Sequence, residues 1–135
     1  MEYIKKENMN QRSLDRLKGV KQVLIDILVA AAKDSPYHYE IPEDGGLRTP
    51  ERQNFLFKKG VSKCDGYNKK SEHQTGKAYD IFLMIDGKAS WDKKALRETQ
   101  YHIRKVAKEK FNTELNLGCD WVSYPDYPHG QLTHI

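Results

Sequence analysis

The segment at residues 71–85 constrains the fold most, because it delivers a carboxylate to the start of an apolar run. The sequence SEHQTGKAYD leads directly into IFLMI. An apolar run without polar alternation predicts a strand that is covered on both faces. A carboxylate at the mouth of such a strand is costly to bury unless it is paired, hydrogen-bonded or bound to a metal. Asp80 is therefore predicted to have a specific partner.

Two histidines are candidate partners for this carboxylate. His73 lies seven residues before Asp80, across Gly76, which can turn the chain so that the imidazole and the carboxylate converge. His129 lies far downstream, in DYPHGQLT, where a short strand can follow. Three protein ligands with an open fourth position are typical of catalytic zinc. We therefore predict one zinc ion per chain, bound by His73, Asp80 and His129, with Asp126 as a base for an attacking water.

These residues form part of a longer pattern. The chain reads S-x-H-x-x-G-x-A-x-D over residues 71–80 and D-x-x-H over residues 126–129. The combination resembles the zinc peptidoglycan peptidases, a superfamily of D-alanyl-D-alanine carboxypeptidases, dipeptidases and phage L-alanyl-D-glutamate endopeptidases. The likeness extends upstream to GLRTPERQNFLFKKGVSK and covers about residues 45–135. The chain departs from the family at Gly130, where a bulky aromatic residue is usual, and this is expected to loosen the packing behind His129.

The resemblance implies roles for further residues. Arg48 would bind a substrate carboxylate or stabilise the developing oxyanion, and Gln53 and Ser71 would contact substrate. Asp126 would take a proton from water and return it to the leaving amine. Plainer alternatives are a surface charge for Arg48, an ordinary helix position for Gln53 and a turn former for Asp126. Asp120 is predicted to be structural or to hold a ligand imidazole in its tautomer.

Composition limits the remaining possibilities. A chain of 135 residues and 15.7 kDa predicts one catalytic domain, residues 1–135, without a separate wall-binding domain. The sequence shows no secretory signal and no apolar run of membrane-spanning length, so cytoplasmic synthesis and no membrane insertion are expected. The net charge of +4 suits an anionic partner, but the lysines form no single block, and nucleic-acid binding is not favoured. Cys64 and Cys119 are predicted to be free thiols, and His38, His102 and His134 to be structural or surface residues.

Hydrophobic periodicity and turn signals predict the order of the elements. Helices are expected from Ser13 to about 33, from Thr49 to about 59 and from about 90 to 110. Ser13 and Thr49 are the expected caps of the first two, and Ser90 with Asp92 is expected to begin the third. Strands are expected at residues 37–41, 78–85, 114–117 and 130–133, with a hairpin turn at Asp86–Gly87. The expected class is α+β, with a small, mainly antiparallel sheet flanked by about three helices. The resemblance implies the Hedgehog and D,D-peptidase type of fold.

The sequence is best interpreted as a zinc metallopeptidase that degrades peptidoglycan. The resemblance is nearest to phage endolysins of the L-alanyl-D-glutamate peptidase type, made without a signal peptide and acting on the periplasmic wall after holin-mediated release. Its partner would be bacterial peptidoglycan, and the protein is expected to be a monomer. Two alternatives stay open: a D-alanyl-D-alanine carboxypeptidase or dipeptidase on the same scaffold, and a catalytically inactive zinc-containing module that binds the wall.

Overall fold

The structure, a computed structural model, describes residues 9–133. Within them the chain forms four α-helices and two three-stranded antiparallel sheets, which confirms the α+β class. The helices are α1 (Gln11–Arg16), α2 (Gln22–Ala32), α3 (Pro50–Lys58) and α4 (Lys93–Phe111). The strands are β1 (His38–Glu40), β2 (Ala78–Asp80), β3 (Phe82–Ile85), β4 (Lys88–Ser90), β5 (Leu115–Leu117) and β6 (His129–Leu132).

The two sheets have different strand orders. Strands β1, β3 and β4 form one sheet with β3 in the middle, which we call the scaffold sheet. Strands β2, β6 and β5 form the other, with β6 in the middle, which we call the site sheet. In the site sheet the Cα atoms of Asp80 and His129 are direct partners. Residues opposite each other on antiparallel strands place their Cβ atoms about 5 Å apart. The pairing therefore brings together two candidate ligands that are far apart in sequence.

The predicted continuous strand at residues 78–85 is wrong, because the chain changes sheets at Ile81. Strand β2 belongs to the site sheet and β3 to the scaffold sheet. At the change, the Ile81 N–H donates to the Pro128 carbonyl at 3.0 Å. Ile81 and Leu83 are both fully buried. The run is apolar throughout because it crosses the interior from one sheet to the other.

The first predicted helix is divided in two, which makes four helices in place of about three. The break at residues 17–21 contains Gly19, whose φ of +90° suits glycine. The predicted cap, Ser13, is wrong: the Asn10 side chain accepts the N–H of Ser13 at 2.9 Å and caps α1. The buried Ser13 hydroxyl instead accepts the Ile41 N–H at 2.9 Å, which ties α1 to the end of β1.

The other helix and turn predictions agree with the structure. Thr49 caps α3, with Pro50 in its first turn, and Asp92 caps α4. Asp86 and Gly87 both have positive φ, as a two-residue hairpin of this kind requires. None of the helices in the described residues is long and apolar enough to cross a bilayer.

Helices α2 and α4 pack against each other and supply much of the core. Their shared buried residues are Leu24, Ile27, Leu28, Ala31, Leu96, Ile103 and Val106. His102 lies on α4, and its Nε2 atom is 3.0 Å from the Ala31 carbonyl oxygen, a structural contact as predicted. His134 lies outside the described residues. Cys64 and Cys119 are both free thiols.

Candidate metal centre and its cleft

His73 is positioned by a single turn of 3-10 helix, Glu72–Thr75. The Ser71 hydroxyl accepts the His73 N–H at 3.2 Å, and the Gln74 side chain accepts the Ser71 N–H at 2.9 Å. This reciprocal pair is a capping box, which satisfies backbone donors at the start of the turn. Gly76 ends the turn with a φ of +74° and directs the chain into β2. The predicted turn between His73 and Asp80 therefore has a local cause.

Asp126 and His129 are held by the loop that enters β6. The Asp126 N–H donates to the Gly118 carbonyl at 2.9 Å, and the His129 N–H donates to the Asp126 carbonyl at 3.1 Å. A Cβ atom at Gly118 would clash with the Asp126 carbonyl group. The close approach of these two backbone segments therefore requires glycine at position 118.

Three side-chain atoms from separate segments converge on one point. The His73 Nε2 atom lies 3.3 Å from His129 Nδ1 and 3.4 Å from Asp80 Oδ1. His129 Nδ1 lies 3.2 Å from the same Asp80 oxygen. Both imidazoles are buried, and one ligand atom from each of the three residues lies within 4.8 Å of the others. Two imidazole nitrogens and a carboxylate oxygen at such separations form a donor set that fits zinc.

The outer nitrogens of both imidazoles are also engaged. His73 Nδ1 lies 3.0 Å from the Gly46 carbonyl oxygen, and His129 Nε2 lies 2.7 Å from Gln131 Oε1. Because carbonyl oxygens only accept hydrogen bonds, these outer nitrogens carry the ring protons. When the rings are neutral, the inner nitrogens therefore present lone pairs to the centre, which is how metal-ligating histidines are normally oriented.

Gln131 was not predicted from the sequence as a partner of His129, although its position in the sequence indicates this role. It lies two residues after His129 on β6. Side chains two apart on a strand share a face, so a polar residue at this position is well placed to orient the imidazole.

Arg48 is the cation that compensates Asp80, a partner that the sequence did not identify. Its guanidinium donates to Asp80 Oδ2 at 3.2 Å, to Gln53 Oε1 at 3.0 Å and to the Asp44 carbonyl at 2.9 Å. Gln53 is fully buried, and its amide donates to the Ser62 hydroxyl and the Cys64 carbonyl. Arg48 and Ser71 line the cleft, whereas Gln53 lies behind Arg48 and supports it.

The electrostatics of the centre favour a charged Asp80. Burial by itself favours the neutral carboxyl, but the charges of His73 and His129 and their hydrogen bonds hold the pKa of Asp80 well below its usual range. Burial also disfavours a charged His129, yet the hydrogen bond to Asp80 and the charge of Asp80 raise the pKa of His129. For Asp126, partial desolvation and then the negative charge of Asp80 raise the pKa of the carboxyl above its usual value. Asp126 thus binds a proton more readily than an ordinary aspartate.

The centre opens into a cleft of about 520 Å³. Residues 61–64 and 70–73 contribute to its lining, as do Trp121 and residues 123–126. The Asp126 side chain is half exposed there, and its Oδ2 atom lies 4.0 Å from His129 Nδ1. The structure therefore brings Arg48, Ser71 and Asp126 to the same cleft as the three candidate ligands.

Of the two roles predicted for Asp120, the structural one agrees with the structure, and the contact with a ligand imidazole does not. Asp120 accepts hydrogen bonds from the Tyr101 hydroxyl at 2.8 Å and from Arg104 at 2.7 Å, both on α4. The neighbouring residue Trp121 is the one that contacts the centre, with its ring centroid 5.2 Å from that of His129.

The absence of an aromatic side chain at Gly130 does not loosen the packing behind His129. Tyr79 is the Cα partner of Gly130 across the site sheet, and a Cβ atom at Gly130 would clash with the Tyr79 ring and hydroxyl. Tyr79 is fully buried, and its hydroxyl donates to Gln100 Oε1 at 2.7 Å. The Gln100 amide in turn donates to the Tyr127 carbonyl at 3.1 Å. An aromatic ring from β2 therefore fills the space and supports the loop that carries Asp126.

Comparisons with known proteins agree with this geometry. The chain matches the family described as phage L-alanyl-D-glutamate peptidase over residues 6–134. Its fold is similar to the crystal structure of the Serratia marcescens L-Ala D-Glu endopeptidase ChiX, with a TM-score of 0.81 and 30% sequence identity. That match covers 94% of this chain and 91% of the other. No curated protein matches the chain.

Proposed function

Because the chain belongs to the phage L-alanyl-D-glutamate peptidase family, we propose that it is a zinc-dependent peptidoglycan endopeptidase. The bond cut would be the one between L-alanine and D-glutamate in the stem peptide. One observation carries the zinc dependence: His73, Asp80 and His129 direct three donor atoms at one point, with every outer atom held by another group. The likeness to ChiX supports the choice of bond.

A zinc ion bound by these three residues would supply Lewis acidity to the scissile carbonyl. The chain itself supplies the proton transfers. The Asp126 carboxylate would accept a proton from the attacking water and donate it to the leaving amide nitrogen, so that a C–O bond forms as the C–N bond breaks. Its exposure to the cleft gives substrate access, and partial burial, the main cause of its raised pKa, favours uptake of a proton by the carboxylate.

Arg48 would both hold Asp80 and bind substrate. A guanidinium has five N–H donors, and three contacts with protein acceptors engage only part of this capacity. The remaining donors suit a carboxylate such as the free α-carboxylate of D-glutamate. The Ser71 oxygen accepts the His73 N–H, which leaves its own proton for a substrate oxygen. Gln53 would act by holding Arg48.

Digestion of purified peptidoglycan tests the proposed reaction. Mass spectrometry is expected to find new amino termini on glutamate and no free D-alanine. Elemental analysis is expected to find about one zinc per active chain, with activity lost to a strong chelator. Release of D-alanine alone would assign a carboxypeptidase, and zinc with wall binding but no new termini would assign an inactive binding module. Zinc-free protein with full activity would contradict the metal assignment.

We also propose that the reaction serves host-cell lysis by a phage, with the protein reaching the periplasmic wall through holin lesions as a monomer. Expression in a Gram-negative host tests this role. Lysis is expected only when a holin is expressed together with the protein. Lysis by the protein alone would contradict the dependence on membrane lesions.

A further inference from the structure

The basic charge of the chain is concentrated in one segment beside the cleft. Residues 46–70 contain seven lysines and arginines and two acidic residues, a net charge of +5. The whole chain has a net charge of +4, so the other residues together carry a net charge of −1. The lysines look dispersed in the sequence, but five of them follow one another along the end of α3 and the loop after it. We call Lys58, Lys59, Lys63, Lys69 and Lys70 the lysine surface.

Within residues 9–133, no ion pair compensates the charges of the lysine surface. All five side chains are exposed, and none has a carboxylate oxygen within 4.0 Å in the described residues 9–133. The two arginines of the segment differ, because Arg48 pairs with Asp80 and Arg52 with Asp44. The nearby Asp65 is occupied locally, since its Oδ1 atom accepts the backbone N–H groups of residues 67–69 at 2.9 Å.

The loop that presents these lysines is tied to the protein by side-chain amides. Gln53 donates to the Ser62 hydroxyl and the Cys64 carbonyl, and Asn54 donates to the Asp65 carbonyl at 2.8 Å. Gln74, from the turn that positions His73, donates to the Gly66 carbonyl at 2.9 Å. The uncompensated charges therefore have a defined location relative to the metal centre.

The lysine surface continues into the catalytic cleft. Lys63 and Lys70 line the cleft together with Val61, and the Lys63 ammonium lies 4.2 Å from the centroid of the Tyr124 ring. Lys58, Lys59 and Lys69 extend the positive charge beyond the cleft. A cleft bordered by one sign of charge concentrates ligands of the opposite sign.

We propose that the lysine surface docks the polymeric substrate by binding free carboxylates of stem peptides next to the one in the cleft. This proposal rests on the proposed function, which identifies the partner as a polymer that carries many peptide carboxylates. Complementary charge alone would also suit an anionic lipid surface, but continuity with the cleft favours the polymer whose stem peptide the cleft would hold. The cleft would select the bond, and the lysine surface would retain the enzyme on an insoluble wall between cleavages.

A charge-matched pair of variants tests the docking surface. The test variant combines Lys58→Gln, Lys59→Gln and Lys69→Gln, none of which lines the cleft. The control combines Lys94→Gln, Lys105→Gln and Lys110→Gln, which replace three exposed lysines of α4. Both variants therefore lose the same amount of positive charge. The readout is the ratio of the cleavage rate on intact sacculi to that on the soluble tripeptide L-alanyl-γ-D-glutamyl-diaminopimelate at low salt.

The ratio is expected to fall about tenfold in the test variant and to change less than about twofold in the control. The difference between wild type and test variant should disappear at roughly 1 M salt, where charges are screened within about 3 Å. An unchanged ratio in the test variant, or an equal fall in the control, would overturn the proposal.

Sedimentation separates docking from catalysis. Wild-type protein is expected to sediment with sacculi, and the test variant to remain in solution. Vesicles of phosphatidylglycerol provide the lipid comparison: sedimentation with these vesicles but not with sacculi would overturn the proposal in favour of a membrane partner. If neither substrate is cleaved, the proposed peptidase function fails, while sedimentation with sacculi still decides whether the lysine surface binds the wall.

Discussion

Two clusters in this protein contain the same residue types but differ in how many donor atoms converge. The candidate metal centre joins Asp80 and His129, on the site sheet, to His73 and Arg48, which lie outside that sheet. On the scaffold sheet, Glu40 accepts hydrogen bonds from Arg12 at 2.9 Å and lies 3.1 Å from His38 Nε2. Both carboxylates are largely buried. The second cluster is an ordinary ion-paired group by comparison.

The difference lies in how many donors converge and from where. His38 and Glu40 are two residues apart on β1 and share its face, so this cluster offers one imidazole and one carboxylate. The candidate metal centre collects donors from three separate segments, and among the described residues His73, Asp80 and His129 are the group of three that could hold a metal ion. Both imidazoles of the centre are oriented by outer partners. A histidine beside a carboxylate therefore does not by itself indicate a metal site. A second imidazole, oriented towards the same point, is also needed.

Removal of one imidazole from each cluster should produce the largest difference between them. His129→Ala is expected to abolish zinc retention and activity. The fall in zinc affinity should exceed the roughly 100-fold fall that loss of an outer hydrogen-bond partner can cause. The matched control, His38→Ala, should keep zinc and activity. Zinc content by elemental analysis and turnover on peptidoglycan provide the measurements. If His38→Ala lost zinc as well, the two clusters would not differ in the way that we infer.

Asp126→Asn should separate the base from the ligands. Zinc content and fold are expected to persist, while kcat falls by about 10²–10⁴-fold, the usual effect of removing a general base. Asp120→Asn is the matched control, since Asp120 contacts Tyr101 and Arg104 and should be dispensable for turnover. Near-normal turnover by the Asp126 variant would reduce that residue to a turn former.

Gln131→Leu tests whether the hydrogen bond to the outer nitrogen of His129 contributes to zinc affinity. Loss of the amide oxygen removes the acceptor for the His129 ring proton, and zinc affinity is expected to fall about 10–100-fold. Gln22→Leu removes a surface amide that bonds Asp26 and should leave affinity unchanged. Competition with a calibrated chelator measures the affinity. Equal affinities for the two variants would argue against the outer bond as the cause of the orientation.

Glu40→Gln should have the smallest effect, on stability alone. Burial favours the neutral carboxyl of Glu40, but the hydrogen bonds from Arg12 and His38 outweigh it and lower the pKa. A lowered folded-state pKa stabilises the fold above the unfolded pKa of about 4.3, and this stabilisation is lost as the pH falls through the folded value. The variant is expected to be roughly 1–2 kcal/mol less stable than wild type at pH 7. Urea unfolding at fixed zinc concentration should show the difference disappearing at low pH, and a pH-independent difference would contradict the ionic origin.

Local interactions explain why much of the fold was predictable. The Thr49 and Asp92 caps, the hairpin at Asp86–Gly87 and the turn after Ser71 each depend on residues within a few positions of one another. Such features have sequence signatures because the interacting groups are neighbours along the chain. The division of the apolar run at Ile81 has no local signature, since it depends on a bond to Pro128.

The sequence by itself determined the types of candidate ligand and the local turn that presents His73. The tertiary structure decided which atoms face the centre, because the orienting groups are distant in sequence: Gly46 for His73, and Arg48 for Asp80. It also supplied the aromatic ring missing at Gly130, from Tyr79 on the neighbouring strand. Ring tautomers, ion pairs and packing volumes depend on what lies nearby in space, and the folded chain brings those groups together.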